Sequence, residues 1–95
     1  MALALRPDYA NAHNSLGSIY GELGLIDMAI EQYQLAVRFQ PNDPDSHYNL
    51  GMAFVRKGMM DYAINQFKVA AVLDPAALGI SSELSAAQEI KGRQQ

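Results

Sequence analysis

The side chains best suited to hold a metal or shuttle a proton are His13 and His47, and they stand 34 positions apart. A metal pair sits i, i+4 on one helix or converges across helices, whereas the same slot in successive stacked units would hold these two roughly 10 Å apart. The chain has no cysteine. Gly17, Gly21 and Gly24 crowd one stretch, but they close a helical segment instead of opening one, so a dinucleotide loop is not expected there. The 10 acidic residues are spread along the chain with no convergent pair for acid–base work. These patterns predict no catalytic residue, no metal site and no cofactor.

The elements that carry these residues repeat. Sliding the 95-residue chain by 34 positions sets residues 10–43 on 44–77 and returns His13/His47, Leu16/Leu50, Gly17/Gly51, Gly24/Gly58, Asp27/Asp61, Ala29/Ala63, Ala36/Ala70 and Pro41/Pro75 as identities. Ile30/Ile64 and Gln32/Gln66 match too, and Tyr20/Phe54 and Tyr33/Phe67 pair aromatic with aromatic. Each unit reads as two helices joined by a glycine. Asp43-Pro44 opens a helix as N-cap and first residue, where the missing proline N–H costs nothing. Pro7-Asp8 opens the earlier one. Gly24 and Gly58 fall where a helix ends in a left-handed residue. Asp27 and Asp61 suit the positive end of the next helix, and Pro41 and Pro75 stop it. The spacing predicts helices at about 8–22, 26–39, 43–56, 60–73 and 79–91. Gly17 and Gly51 lie inside helices, where glycine costs ~1 kcal/mol. They are expected to permit a close crossing, faced by the alanines, with Tyr20, Phe54, Tyr33 and Phe67 filling the remaining space.

The pattern resembles the tetratricopeptide repeat family, whose signature runs Trp-x2-Leu-Gly-x2-Tyr, Ala-x3-Phe, Pro at a period of 34. The chain offers His13, Leu16, Gly17, Tyr20, Ala29, Tyr33, Ala36 and Pro41, and then His47, Leu50, Gly51, Phe54, Ala63, Phe67, Ala70 and Pro75. Histidine stands where the family has tryptophan, so both histidines are expected to be packing residues. The resemblance implies an all-α fold, a right-handed superhelical stack of antiparallel helix pairs with a C-terminal capping helix. Residues 8–42 and 43–76 are then two repeats, 77–95 the capping helix and tail, and 1–7 the tail of a truncated preceding repeat.

The two ends differ. The last helix shows an apolar stripe, Ile80, Leu84 and Ala87, toward the repeat before it, while Ser81, Ser85 and Gln88 point forward and are polar, as a cap requires. The first helix has a matching backward stripe, Ala12, Leu16, Ile19 and Leu23, with little chain ahead to cover it. Leaving such side chains wet forfeits several kcal/mol at ~25 cal/mol per Å². Either the chain is a piece of a longer array, or copies cover each other through that face as a homo-oligomer or by exchanging helices.

The resemblance also implies a concave groove lined by the first helices. Its positions are Asn11, Asn14, Ser18 and Glu22, then Asp45, Tyr48, Asn49, Met52, Val55 and Arg56, then Ser82, Glu83, Ala86 and Glu89 in the cap. Tyr48, Met52 and Val55 fall at i, i+4, i+7 and form an apolar anchor for a protein or peptide partner. Chaperone-binding members of the family clamp a terminal carboxylate with Lys, Asn, Asn, Lys and Arg. The same places here hold Asn14, Ser18, Asn49, Gly79 and Glu83, so no such clamp is expected. The asparagine ladder of the arrays fused to O-linked sugar transferases is broken too, reading Ser15, Asn49, Glu83. The function expected is a protein–protein interaction scaffold, with self-assembly or substrate recruitment for a larger enzyme as alternatives. Nucleic acid is not an expected partner: net charge is −3, and the 7 basic residues are scattered. No apolar run approaches the ~20 residues that span a bilayer. Neither the absence of cysteine nor that of an export signal settles the compartment, and the cytoplasm is only slightly favoured.

Overall fold

The computed structural model describes residues 7–76 and 88–92. Four helices follow one another, α1 (Pro7–Glu22), α2 (Ile26–Phe39), α3 (Pro44–Lys57) and α4 (Met60–Leu73), and residues 88–92 are helical as well. There is no strand among the described residues. α1 packs on α2, α3 on α4, and α2 on α3, so two helix pairs stack in chain order. Of the last expected helix, 79–91, only its final residues fall within the described part, and the stripe Ile80, Leu84, Ala87 lies outside it.

Both expected glycine stops are left-handed, Gly24 at φ 79° and Gly58 at φ 86°. Each closes its helix with the same pair of hydrogen bonds. Leu25 N donates to Tyr20 O at 2.9 Å and Gly24 N to Gly21 O at 3.1 Å; Met59 N donates to Phe54 O at 2.9 Å and Gly58 N to Val55 O at 3.0 Å. That pairing consumes carbonyls that the end of a helix would otherwise leave open. At the other end of α3, Asp43 is the N-cap: its carboxylate accepts from Asp45 N at 3.1 Å and from Ser46 Oγ at 3.0 Å. The helix therefore starts at Pro44, with Asp43 capping it from outside as the Asp-Pro pair led us to expect. α1 is longer, 16 residues against 14. Its extra first turn sets Tyr9 edge-on to Phe39, with ring centroids 5.6 Å apart.

The crossing inside each pair is set by a ring lying on a glycine. A Cβ added to Gly17 would come 2.6 Å from Cε1 of Tyr33, and one added to Gly51 would come 2.6 Å from Cε1 of Phe67. The space over the glycines thus belongs to these rings, whereas Ala29, Ala36, Ala63 and Ala70 are fully buried around them. Phe67 has no exposed surface, and Leu50, Phe54, Ala53 and Ile64 complete the core.

Gly51→Ala forces the methyl against a ring with no room to retreat. It should lower unfolding free energy by about 1–3 kcal/mol, even after the ~1 kcal/mol that alanine returns in helix propensity. Gly92, with nothing within 4 Å of an added Cβ, is the control: its alanine variant should be neutral or slightly stabilising. Urea titration followed by far-ultraviolet circular dichroism measures both.

Candidate partner-binding groove

The residues expected to line the groove divide into two groups. Asn11, Ser18, Glu22, Asp45 and Arg56 are exposed, whereas Asn14, Tyr48, Asn49, Met52 and Val55 are half-buried. Tyr48, Met52 and Val55 pack their inner sides on the core cluster, and the Tyr48 ring meets Phe67 at 5.9 Å between centroids. They finish the α3–α4 core and offer a remaining apolar strip on the outside.

Two of the polar positions are engaged within the protein. Asn14 Nδ2 donates to Ser46 Oγ at 3.0 Å, and Ser46 in turn donates to the capping carboxylate of Asp43. This chain ties α1 to the start of α3, and it makes fully buried Ser46 a joint between the two helix pairs. Asn14 Oδ1 is buried with no hydrogen-bond partner. Ser18 Oγ lies 3.2 Å from Tyr33 Oη, on α2. Arg56 reaches back over the last turn of α1, where its Nη1 would be 3.2 Å from a Cβ at Gly21. α1 has no basic residue of its own in that turn, so Arg56 supplies the cation that suits a helix C-terminus. Among the groove residues Asn49 is half-buried, and Glu22 and Asp45 are exposed acidic side chains. In the cap, Glu89 is exposed, while Ser82, Glu83 and Ala86, like clamp position Gly79, lie outside the described residues.

The histidines hold helix pairs together. His13 Nδ1 lies 2.8 Å from Gln32 Oε1, and His47 Nδ1 lies 2.7 Å from Gln66 Oε1, the same contact one repeat later. His47 Nε2 also donates to Pro41 O at 2.7 Å, which ties α3 to the loop before it. His13 has its ring stacked on Phe39, with centroids 5.5 Å apart. They are packing residues with polar tips. The glutamine partners were visible in the sequence as the identity Gln32/Gln66, recurring 19 residues after each histidine, but only folding shows that the two side chains meet.

Ala12, Leu16, Ile19 and Leu23 are all exposed. The described residues hold no cluster of three or more metal-ligating side chains, and no helix among them is long and apolar enough to cross a membrane. The chemistry at the expected groove positions is van der Waals contact, hydrogen bonds and a few charges.

A sequence-family model described as TPR repeat matches residues 19–58. Among solved structures, the first TPR of Spaghetti (RPAP3) bound to the HSP90 peptide SRMEEVD superposes with a TM-score of 0.86 at 22% identity, covering 92% of this chain and 69% of that one. A crystal structure of MamA gives a TM-score of 0.85 at 26% identity over 93% of this chain and 52% of that one. A mutant O-GlcNAc transferase from Thermobaculum terrenum gives 0.80 at 32% identity over 90% of this chain. The chain spans about half of MamA and 16% of the transferase, whose likeness is confined to that helical part. A comparison with curated protein sequences gives no match.

His47→Ala removes a buried ring and strands two partners, Gln66 and Pro41 O, whereas His13→Ala strands only Gln32 at a wetter site. The former should cost about 2–4 kcal/mol and the latter about half as much. Thermal melts of the two variants side by side test the ordering.

Proposed function

The chain belongs to the tetratricopeptide repeat family, and on that premise we propose that it is a non-catalytic scaffold that holds a peptide segment or helix of a partner protein in the groove of α1 and α3. The observation that carries this reading is the half-buried strip of Tyr48, Met52 and Val55 flanked by Asn11, Glu22, Asp45, Asn49 and Arg56. Its inner side is fixed by the core, so a partner meets a surface already ordered, and less side-chain entropy is lost on binding. An apolar centre with a polar rim is the arrangement that excludes water around a few anchoring contacts.

The ligand class follows from what the groove lacks. The Spaghetti domain named above binds an acidic peptide. Here the clamp positions on α1 are Asn14, already bonded to Ser46, and Ser18, already against Tyr33. Neither is a cation. With Glu22 and Asp45 on the rim, the groove suits a segment with apolar side chains and neutral or basic neighbours. Recruitment of substrate for a larger enzyme is the use suggested by the likeness to the transferase array, but the asparagine ladder is interrupted at Ser15. The exposed stripe of α1 supports a second contact, self-association, on a separate surface.

A peptide selected from a display library on this chain should bind saturably in a titration. Met52→Glu should abolish that binding, and Tyr48→Ala should weaken it about tenfold or more, with the melting temperature of Tyr48→Ala lowered only modestly. Amidating the peptide's terminal carboxylate should change nothing, and SRMEEVD should not compete. Undiminished binding by both variants, or binding that requires the free carboxylate, would place the contact elsewhere.

A further inference from the structure

We infer that the hydroxyls of Ser18 and Tyr33 together make one hydrogen-bond donor in the α1 wall of the groove, and that it takes a main-chain carbonyl of a segment bound in extended form over the first repeat. This rests on the groove reading above and commits it to one kind of occupant. Tyr33 stands on α2, but its ring lies on Gly17 and carries its Oη to within 3.2 Å of Ser18 Oγ. Ser18 is exposed, whereas Tyr33 keeps only 8% of its surface in contact with solvent. Two hydroxyls that share one hydrogen bond still hold a second proton. The phenol is the stronger acid and donates to Ser18 Oγ, so the spare proton is the serine's, on the exposed side. Among the described residues neither hydroxyl has another partner.

One repeat later the pair is gone. Phe67 covers Gly51 with no hydroxyl, and Met52 stands in the slot of Ser18. Resting a ring on a glycine therefore does not need the oxygen, and the Tyr33 hydroxyl is surplus to the packing of its own helix pair.

The form of the occupant follows from the wall. Tyr48, Met52 and Val55 have Asn14, Ser18 and Gly21 as their counterparts on α1. A helix laid along both repeats needs apolar sockets at intervals of three and four residues, and α1 supplies none at these positions. Such a helix also consumes its own carbonyls, except in its last turn. An extended chain leaves its carbonyls open. The acceptor is a neutral one: from Tyr9 to Gly21 α1 has no Lys or Arg, and exposed Glu22 follows Ser18 by one turn, where it would repel a carboxylate. Every peptide has main-chain carbonyls, so the Ser18 donor fixes where the segment lies, while the apolar strip on α3 chooses the side chain.

The probe is the display-selected peptide, titrated into the 95-residue chain and its variants. Ser18→Ala and Tyr33→Phe should each weaken binding about three- to tenfold. The double variant should bind no worse than Ser18→Ala, because both changes remove the same donor. Tyr33→Phe copies the Phe67–Gly51 contact, so its circular dichroism and melting temperature should stay near those of the unaltered chain. An ester set into the peptide main chain, one bond at a time, makes the carbonyl it contains a poorer acceptor. At one position the ester should weaken binding to the unaltered chain several-fold and to Ser18→Ala not at all, and binding should add no helix to the circular dichroism. Undiminished binding by Ser18→Ala, where Met52→Glu abolishes it, would overturn this assignment and leave the groove reading standing. So would ester effects that are equal in the two chains, or a peptide that turns helical on binding. No saturable binding, or binding indifferent to Met52→Glu, would overturn both.

Discussion

Each helix pair closes because an aromatic ring rests on a glycine of the facing helix. Tyr33 on Gly17 and Phe67 on Gly51 occupy the volume that a β-carbon would need, and no other residue type leaves that space. The glycine weakens its own helix, and the ring's burial offsets the loss. Everything else in a pair is arranged around this contact. Fully buried alanines let the backbones approach, left-handed glycines turn the chain back within a few residues, and a histidine–glutamine bond fastens the opposite side.

Joining one pair to the next requires different interactions. The apolar part is Leu50 and Ala53 of α3 pressed under α2. The polar part is local and directional: Lys57 to Asp27, Asn14 to Ser46, Ser46 to the Asp43 cap, and His47 to the carbonyl of Pro41. The exposed ion pair contributes little to stability by itself. The contacts around Ser46 and His47 are mostly buried, where an unmet hydrogen bond is costly, so they set the register of one pair on the next. The groove inherits its shape from that register. Tyr48, Met52 and Val55 are presented on a surface whose inner half is already core, while Arg56 is drawn over the end of α1.

A scaffold of this kind separates stability from recognition. The faces that hold the stack are fixed by ring, glycine and alanine, and they recur from one repeat to the next. The faces proposed to meet partners do not recur. Tyr48 has Asn14 as its counterpart, Met52 has Ser18, and Lys57 has Leu23. Two repeats with one framework therefore present different chemistry at equivalent positions.

The repeat framework was legible from residues alone because its signals are local. Glycine at a helix end, proline beyond it, an aspartate cap and an apolar period of helical type each act within a few residues, and a second copy in register confirms the reading. Helix bounds accordingly agreed to within one residue in the described part. What the sequence did not carry was which side chains meet. Gln32 and Gln66 were seen as identities, not as histidine partners; Asn14 and Ser18 were read as groove positions, though Ser46 and Tyr33 engage them. Alanine was expected over the glycines where the rings lie. These pairings depend on the crossing angle of helices and on distances between residues far apart in the chain, quantities that no local pattern encodes and that only packing the helices together decides.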